Sequence, residues 1–159
     1  MDWIGHHNDI AHWGAGMDAS GPEEVEAIGW TQSSADVHDT PVDYEIRCIY
    51  PGGVDWVIAS HLPMGTRWIG EEGWVAVDRG KLTASDERWT RPDYDPGPVV
   101  IPASSDHIDN FIEGIKSRRT CVASAETAHR SITPGHLGFA SHAVGRRLRF
   151  DARTERVLN

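Results

Sequence analysis

Apolar residues recur along this chain with two different periods, and the changes between them divide it into a leading helix, a run of strands and a closing helical region. Residues Asp2 to Trp13 read as a helix whose pattern ends at Gly14 and Gly16, with Ala19-Ser20-Gly21-Pro22 supplying turn chemistry. A strand is expected from Glu24 to Gln32, followed by a polar, aperiodic loop to Pro41 that carries His38. From Val42 to His61, Tyr44, Ile46, Cys48 and Tyr50 alternate with Asp43, Glu45 and Arg47, and Pro51-Gly52-Gly53 turns the chain back through Val54 to Ser60. A second hairpin, Arg67 to Gly70 with Trp74 to Asp78, leads through Arg79-Gly80 into a short strand, Lys81 to Ala84.

The period then lengthens. Residues Ser85 to Pro102 hold four of the nine prolines and predict a surface loop that ends the sheet region. Beyond it, Ile108, Phe111, Ile112 and Ile115 recur at i, i+3, i+4 and i+7 behind Ser104 or Ser105 as a cap, a clean amphipathic helix. Another helix is expected after Ser124, broken or kinked at Pro134-Gly135, resuming to Val144 and closed by Gly145. Arg147 to Phe150 alternates as a final strand, and 151–159 reads as a polar tail prone to fray. Alternation with one buried and one wet face is the mark of an antiparallel sheet covered by helices on one side. The fold class expected is therefore α+β: one domain over 1–159 with an open, mostly antiparallel β-sheet of five or six strands and helices packed on one face.

Composition narrows the partners. The net charge of −9 argues against nucleic acid, because phosphate contact needs a basic surface. Nine of the fifteen basic residues lie between Lys116 and Arg156, which predicts pairing with the acidic remainder of the chain or with another subunit. No apolar run approaches the roughly 18 residues that cross a bilayer, and no leader pattern opens the sequence, so a soluble, cytoplasmic protein is the expectation. Cys48 falls on the apolar side of its strand and reads as a small buried hydrophobe, with Cys121 far from it in sequence. Seven tryptophans offer amphipathic rings of the kind used at interfaces and against sugars, although core filling is the simpler role for any one of them.

The candidate chemistry lies in the first helix. Asp2, His6, Asp9 and Trp13 are spaced i, i+4, i+7 and i+11 and share one stripe. A carboxylate one turn before a histidine can fix the ring's tautomer and raise its basicity for proton transfer. The plainer alternative is that Asp2 and Asp9 complement the helix dipole. His6, His7, Asp9 and His12 also carry donor atoms for a metal, but their spacing is not His-Glu-x-x-His, and no metal is assigned. Trp13 with Arg67 and Trp68 are residue types that bind sugar hydroxyls, and His129 with Arg130 is a candidate lining group.

The pattern Asp-x-x-x-His-x-x-Asp made by Asp2, His6 and Asp9 resembles the start of the C-terminal domain of the glucose-fructose oxidoreductase/inositol dehydrogenase (Gfo/Idh/MocA) family. The string from Asp2 to Gly16 is similar to one branch of it, whose helix reads Gly-His-His-x-Asp-Ile-Ala-x-Trp-Gly. Trp68 to Trp74 looks like the family's Ile-Gly-x-x-Gly hairpin, His107 to Phe111 like one of its helix starts, and Ala128 to Ser131 with His136 to Gly138 like its closing helices. The resemblance implies a substrate-binding and oligomerisation domain of an NAD(P)-dependent sugar or polyol oxidoreductase. His6 would transfer the proton, Asp2 would support it, and His7 and Asp9 would support the ring or touch substrate. It also implies a homo-oligomer formed through the sheet face. No Gly-x-Gly-x-x-Gly follows a strand here, and the two lysines, Lys81 and Lys116, lie outside any Glu-Lys-Pro segment. The expectation is thus a chain without the family's N-terminal Rossmann domain, binding no cofactor alone and needing a dinucleotide-binding domain or chain for redox chemistry. Two alternatives stay open: a stand-alone cofactor-free or metal-assisted sugar isomerase or lyase using the Asp2/His6 pocket, and a structural partner that completes another chain's active site.

Overall fold

A computed structural model describes residues 2–34, 37–98 and 103–159; of Asp2 it describes the backbone and not the side chain. The chain is α+β. Helix α1 (Asp2–Ala15) is followed by β1 (Glu24–Gln32), β2 (Pro41–Tyr50), β3 (Val54–Ala59), β4 (Thr66–Gly70), β5 (Gly73–Asp78) and β6 (Lys81–Ala84). After a short 3-10 turn come α2 (His107–Ser117), α3 (Ala125–Val144), β7 (Leu148–Asp151) and β8 (Arg156–Val157). The strands form two antiparallel sheets where one was expected: five strands in the order β3-β2-β1-β7-β8, and three in the order β4-β5-β6. The separation has a packing reason. The β4–β5–β6 meander lies against α1, where Thr66 and Trp68 bind helix carbonyls, and it does not extend the edge of the larger sheet.

Period-2 alternation aligns one face of the large sheet. Val25 pairs with Cys48 and with Leu148, Ile46 with Ile58, and Cys48 with Trp56. With Tyr50, Phe150 and Leu137 of α3 these residues make the core. Cys48 belongs to that core, as its strand position predicted, and burial pushes its thiol up to about 12. A register shift between Ala27 and Gly29 leaves Ile28 exposed and brings Trp30 back to the helix side, where its ring stacks on His142 at 4.6 Å. On the opposite face Arg147 pairs with Glu24 at 3.0 Å and Glu26 at 2.8 Å, so part of the basic C-terminal third is matched within the chain.

Three local expectations are corrected. Helix α3 runs unbroken through Pro134, whose face, with Ser131, Gly135, Leu137, Gly138 and Ser141, is the buried one. The proline costs a hydrogen bond and a steric adjustment of about 3 kcal/mol, and packing on β1, β2 and α1 offsets it. Helix α2 is capped by Asp106, whose carboxylate accepts the Asp109 N–H at 2.8 Å, and not by Ser104 or Ser105. The tail after Asp151 turns back and pairs as β8 (Arg156–Val157), with Leu158 N–H donating to Arg149 O and the Asn159 amide bridging Arg149 and Arg147. Of the proline-rich stretch 85–102, residues 99–102 lie outside the described residues.

Helix α3 sits so close to β2 that a Cβ on Gly138 would fall 2.4 Å from Ile46 Cδ1 and 2.7 Å from its Cγ1. Alanine is normally the better helix former by about 1 kcal/mol, but Ile46 is enclosed in the core and cannot yield. Gly138→Ala is therefore expected to destabilise the fold by about 1–3 kcal/mol, read as a lower urea midpoint at unchanged slope.

Candidate functional site

Helix α1 has two unlike sides, and both carry polar chemistry. Ile4, Asn8, Ala11, His12 and Ala15 recur at helical spacing and face the large sheet and α3. Asn8 is 3% exposed and His12 is fully enclosed. Trp3, His6, Ile10 and Trp13 lie on the far side and are exposed.

The inner side is a polar network set in the core, hydrogen-bonded at every member's side chain but with His12 Nδ1 left unpartnered among the described residues. Trp56 Nε1–H donates to Asn8 Oδ1 at 2.7 Å, and Asn8 Nδ2 donates to the Ser131 carbonyl at 2.7 Å. These two bonds fix the orientation of the Asn8 amide. The same Nδ2 lies 3.5 Å from His12 Nε2, which is 2.7 Å from the Tyr50 hydroxyl. Because Asn8 presents only N–H there, Nε2 is the accepting nitrogen, Tyr50 donates, and the His12 proton resides on Nδ1. The His12 ring also packs edge-on against Tyr50 and Trp56. Burial holds the His12 pKa below the ordinary value, and Arg130 adds to the effect against the opposing pull of Asp18 and Asp9. Burial likewise pushes the Tyr50 hydroxyl up, so it stays a neutral donor. His12 Nδ1 and Asp18 Oδ1 have no protein partner among the described residues.

The outer side carries the residues singled out in the sequence. His6 is exposed, its ring 5.8 Å from that of Trp3. His7 is half-buried and stacks on the same indole at 5.6 Å, and the Arg79 guanidinium lies 5.1 Å from the Trp3 ring. Burial lowers the His7 pKa, with Asp78 pulling it up and His6 and Arg79 pushing it down. The His7 carbonyl accepts from Thr66 Oγ1 at 2.8 Å, which ties this end of α1 to the smaller sheet. Trp13 is exposed on the His6 side, farther along the helix. The Asp2 side chain lies outside the described residues.

Other candidates are placed elsewhere. Asp9 turns towards α3, where the Ser131 hydroxyl lies 2.7 Å from Asp9 Oδ1 and 2.8 Å from Thr127 O, its single proton serving one of them at a time. Thr66 and Trp68 face α1, so by alternation Arg67 points off the other face of β4, where its guanidinium lies 4.5 Å from the Trp74 ring. His129 pairs with Glu155 at 3.0 Å on the surface of α3, while neighbouring Arg130 bonds Glu126 and the Ala152 carbonyl. The structure thus gathers His6 and His7 with Trp3, Asp78 and Arg79, and leaves Arg67 and His129 outside that group. Asn8, Tyr50, Trp56 and Ser131 were missed as site residues in the sequence, and His12 was weighed there only as a metal donor. The available clue was spacing: Ile4, Asn8 and His12 are each one turn apart, so two polar residues share the phase of an apolar one.

Among the described residues no three His, Cys, Asp or Glu side chains are grouped to hold a metal ion. The strand-to-helix turn of a Rossmann dinucleotide site is not found among the described residues. Pyrophosphate is held where a parallel strand runs into a helix N-terminus, and every strand pairing described here is antiparallel. The N-terminus of α2 is already filled by the Asp106 carboxylate and that of α3 by the Ser124 hydroxyl. No described helix is long and apolar enough to cross a membrane.

No family model matches the sequence, and no curated protein matches it. Among solved structures the chain is similar to an aldose-aldose oxidoreductase from Caulobacter crescentus, complexed with glycerol, with a TM-score of 0.59 and 15% sequence identity. The likeness covers 92% of this chain and 45% of that one, so this chain spans less than half the length of the protein it matches. At that identity what is shared is the fold.

Proposed function

We propose that this chain is the substrate-binding and oligomerisation domain of an NAD(P)-dependent sugar or polyol oxidoreductase, and that it acts only when a dinucleotide-binding domain or chain covers the outer side of α1. His6 is the proton-transfer group, Asp2 its supporting carboxylate, and Trp3 and Trp13 flank it as apolar platforms for a sugar ring. The observation that carries the reading is the direction of α1: its outer stripe presents an imidazole between exposed aromatic rings, turned away from the domain's own core. The fold shared with a sugar oxidoreductase supports it. A general base needs a dry, closed site within hydrogen-bond reach of its substrate, and an open helix face gains that only when covered. The open face of the large sheet, with its acidic and basic columns and exposed Val57, is the surface proposed for oligomerisation.

The test is nuclear magnetic resonance of the labelled chain titrated with aldoses and cyclitols. Shifts are expected on the Trp3 and Trp13 indole signals and the His6 ring, and loss of the effect in His6→Ala. Shifts confined to other elements, or micromolar affinity of this chain for NAD(P)H by calorimetry, would sink the reading.

A further inference from the structure

Helix α2 carries a complete apolar stripe and buries none of it. Ile108, Phe111, Ile112 and Ile115 are 70%, 59%, 40% and 51% exposed. Its close contacts are with the loop that follows it: Cys121 against Gly114, and Val122 N–H donating to the Asn110 side chain at 3.0 Å. A free helix of this length is marginal in water, below the ~12–15 residues at which even good sequences hold, so α2 draws its stability from whatever covers the stripe. The chain as a whole has surface to spare. It exposes 11156 Å², against about 7,900 Å² for a compact protein of its mass. The excess, about 3,200 Å², is several times the ~800 Å² that each partner contributes to a standard interface.

We propose that the α2 stripe is covered by the same stripe of a second copy of this chain, the two helices lying antiparallel about a two-fold axis. The charges on α2 select this arrangement. Asp106, Asp109 and Glu113 lie at its start and middle, and Lys116, Arg118 and Arg119 at its end. An antiparallel pair sets the acidic start of each helix beside the basic end of the other, whereas a parallel pair would align like with like. Glu113 pairs with Lys116 within the helix at 2.9 Å, and the remaining excess, acidic at Asp106 and Asp109 and basic at Arg118 and Arg119, makes the helix complementary to itself. In the register that sets Ile115 beside Ile108 and Phe111 beside Ile112 of the second copy, Lys116 comes opposite His107, about 3 Å along the axis from the second copy's Asp109 and within reach of it. A hollow of about 210 Å³ opens where Ile115 arrives, lined by His107, Ile108, Asn110, Phe111, Cys121 and Ala123, with room for an isoleucine side chain. The contact uses neither α1 nor the large sheet, so it stands or falls separately from the reading of His6 and can coexist with a sheet-face contact.

Light scattering on the full chain at micromolar concentration tests it. The wild-type mass is expected to be at least twice that of one chain, and Phe111→Glu with Ile115→Glu is expected to halve it. Circular dichroism should show the sheet and α3 retained, because both positions lie outside the core. Asp109→Lys alone and Lys116→Glu alone should each weaken association about tenfold or more, and the double swap should restore it, since only residues within reach of each other exchange charge without loss. A wild-type mass of one chain, a mass unchanged by the glutamates, or a double swap no tighter than either single change would overturn the proposal.

Discussion

Asn8→Ala is expected to lower the free energy of unfolding by about 3 kcal/mol, seen as a thermal midpoint lower by about 6–12 °C at constant pH. Asn8 is the hub through which α1 is bonded to both the large sheet and α3. Its Oδ1 takes the Trp56 indole proton and its Nδ2 serves the Ser131 carbonyl, each at 2.7 Å. Truncation leaves Trp56 Nε1–H enclosed without an acceptor, which costs about 1–3 kcal/mol, and opens a cavity in the core on top of that. Asn8→Asp keeps the acceptor for Trp56 but replaces the donor to Ser131 with an oxygen and buries a charge, so it should be no milder. A thermal midpoint within 2 °C of wild type for Asn8→Ala, an effect below about 1 kcal/mol for a chain of this length, would show that the network adds nothing to stability.

The second large effect is a loss of stability in acid that traces to His12. Its pKa in the folded chain is held below the value of about 6.5 that it has when unfolded, first by burial. The unfolded state therefore binds more protons than the folded one at mildly acid pH. Stability is full above about 6.5 and falls as the pH drops below it, by up to about 1.4 kcal/mol per unit, until the folded pKa is reached. Geometry gives the same sign. A protonated ring would donate from Nε2, which faces the Asn8 amide N–H and the Tyr50 hydroxyl, so one contact becomes donor against donor and the other must reverse. Urea midpoints should be lower at pH 5.5 than at pH 7.5 in wild type, and the difference should shrink in His12→Gln. Equal differences in the two proteins would assign the acid sensitivity elsewhere; His7, half-buried with a lowered pKa of its own, would be the next candidate and a weaker one.

The strands were legible because alternation is a local property: Tyr44, Ile46, Cys48 and Tyr50 share a face in any antiparallel sheet, and the structure places β1 to β6 where the period indicated. The amphipathic span of α2 was legible for the same reason, at the longer period. The pattern could not say what its apolar stripe faces. Periodicity marks a surface that wants cover, and whether the cover lies within the same chain depends on where the loops before and after α2 deliver it. Pro134 shows the converse case, a local rule for breaking a helix overruled by long-range packing of the same turn on the sheet.

The site was half legible. Spacing in the sequence grouped Asp2, His6, Asp9 and Trp13 on one stripe of a helix; His6 and Trp13 do share the exposed side, while Asp9 turns to Ser131 of α3 and the Asp2 side chain lies outside the described residues. Spacing could not tell which side faces in. The inward phase belongs to Ile4, Asn8 and His12, and it was concealed because two of its members are polar. Their burial became affordable only when Trp56, Tyr50 and the Ser131 carbonyl, between 38 and 123 residues away, supplied hydrogen bonds. By itself the sequence determined the elements, their faces and the pairing of the hairpins, all of which follow from contacts between near neighbours. Tertiary structure alone decided that the strands divide into two sheets, that His12 is sealed while His6 is offered outward, and that α2 is left bare. Each of those turns on residues distant in the chain, to which local periodicity is blind.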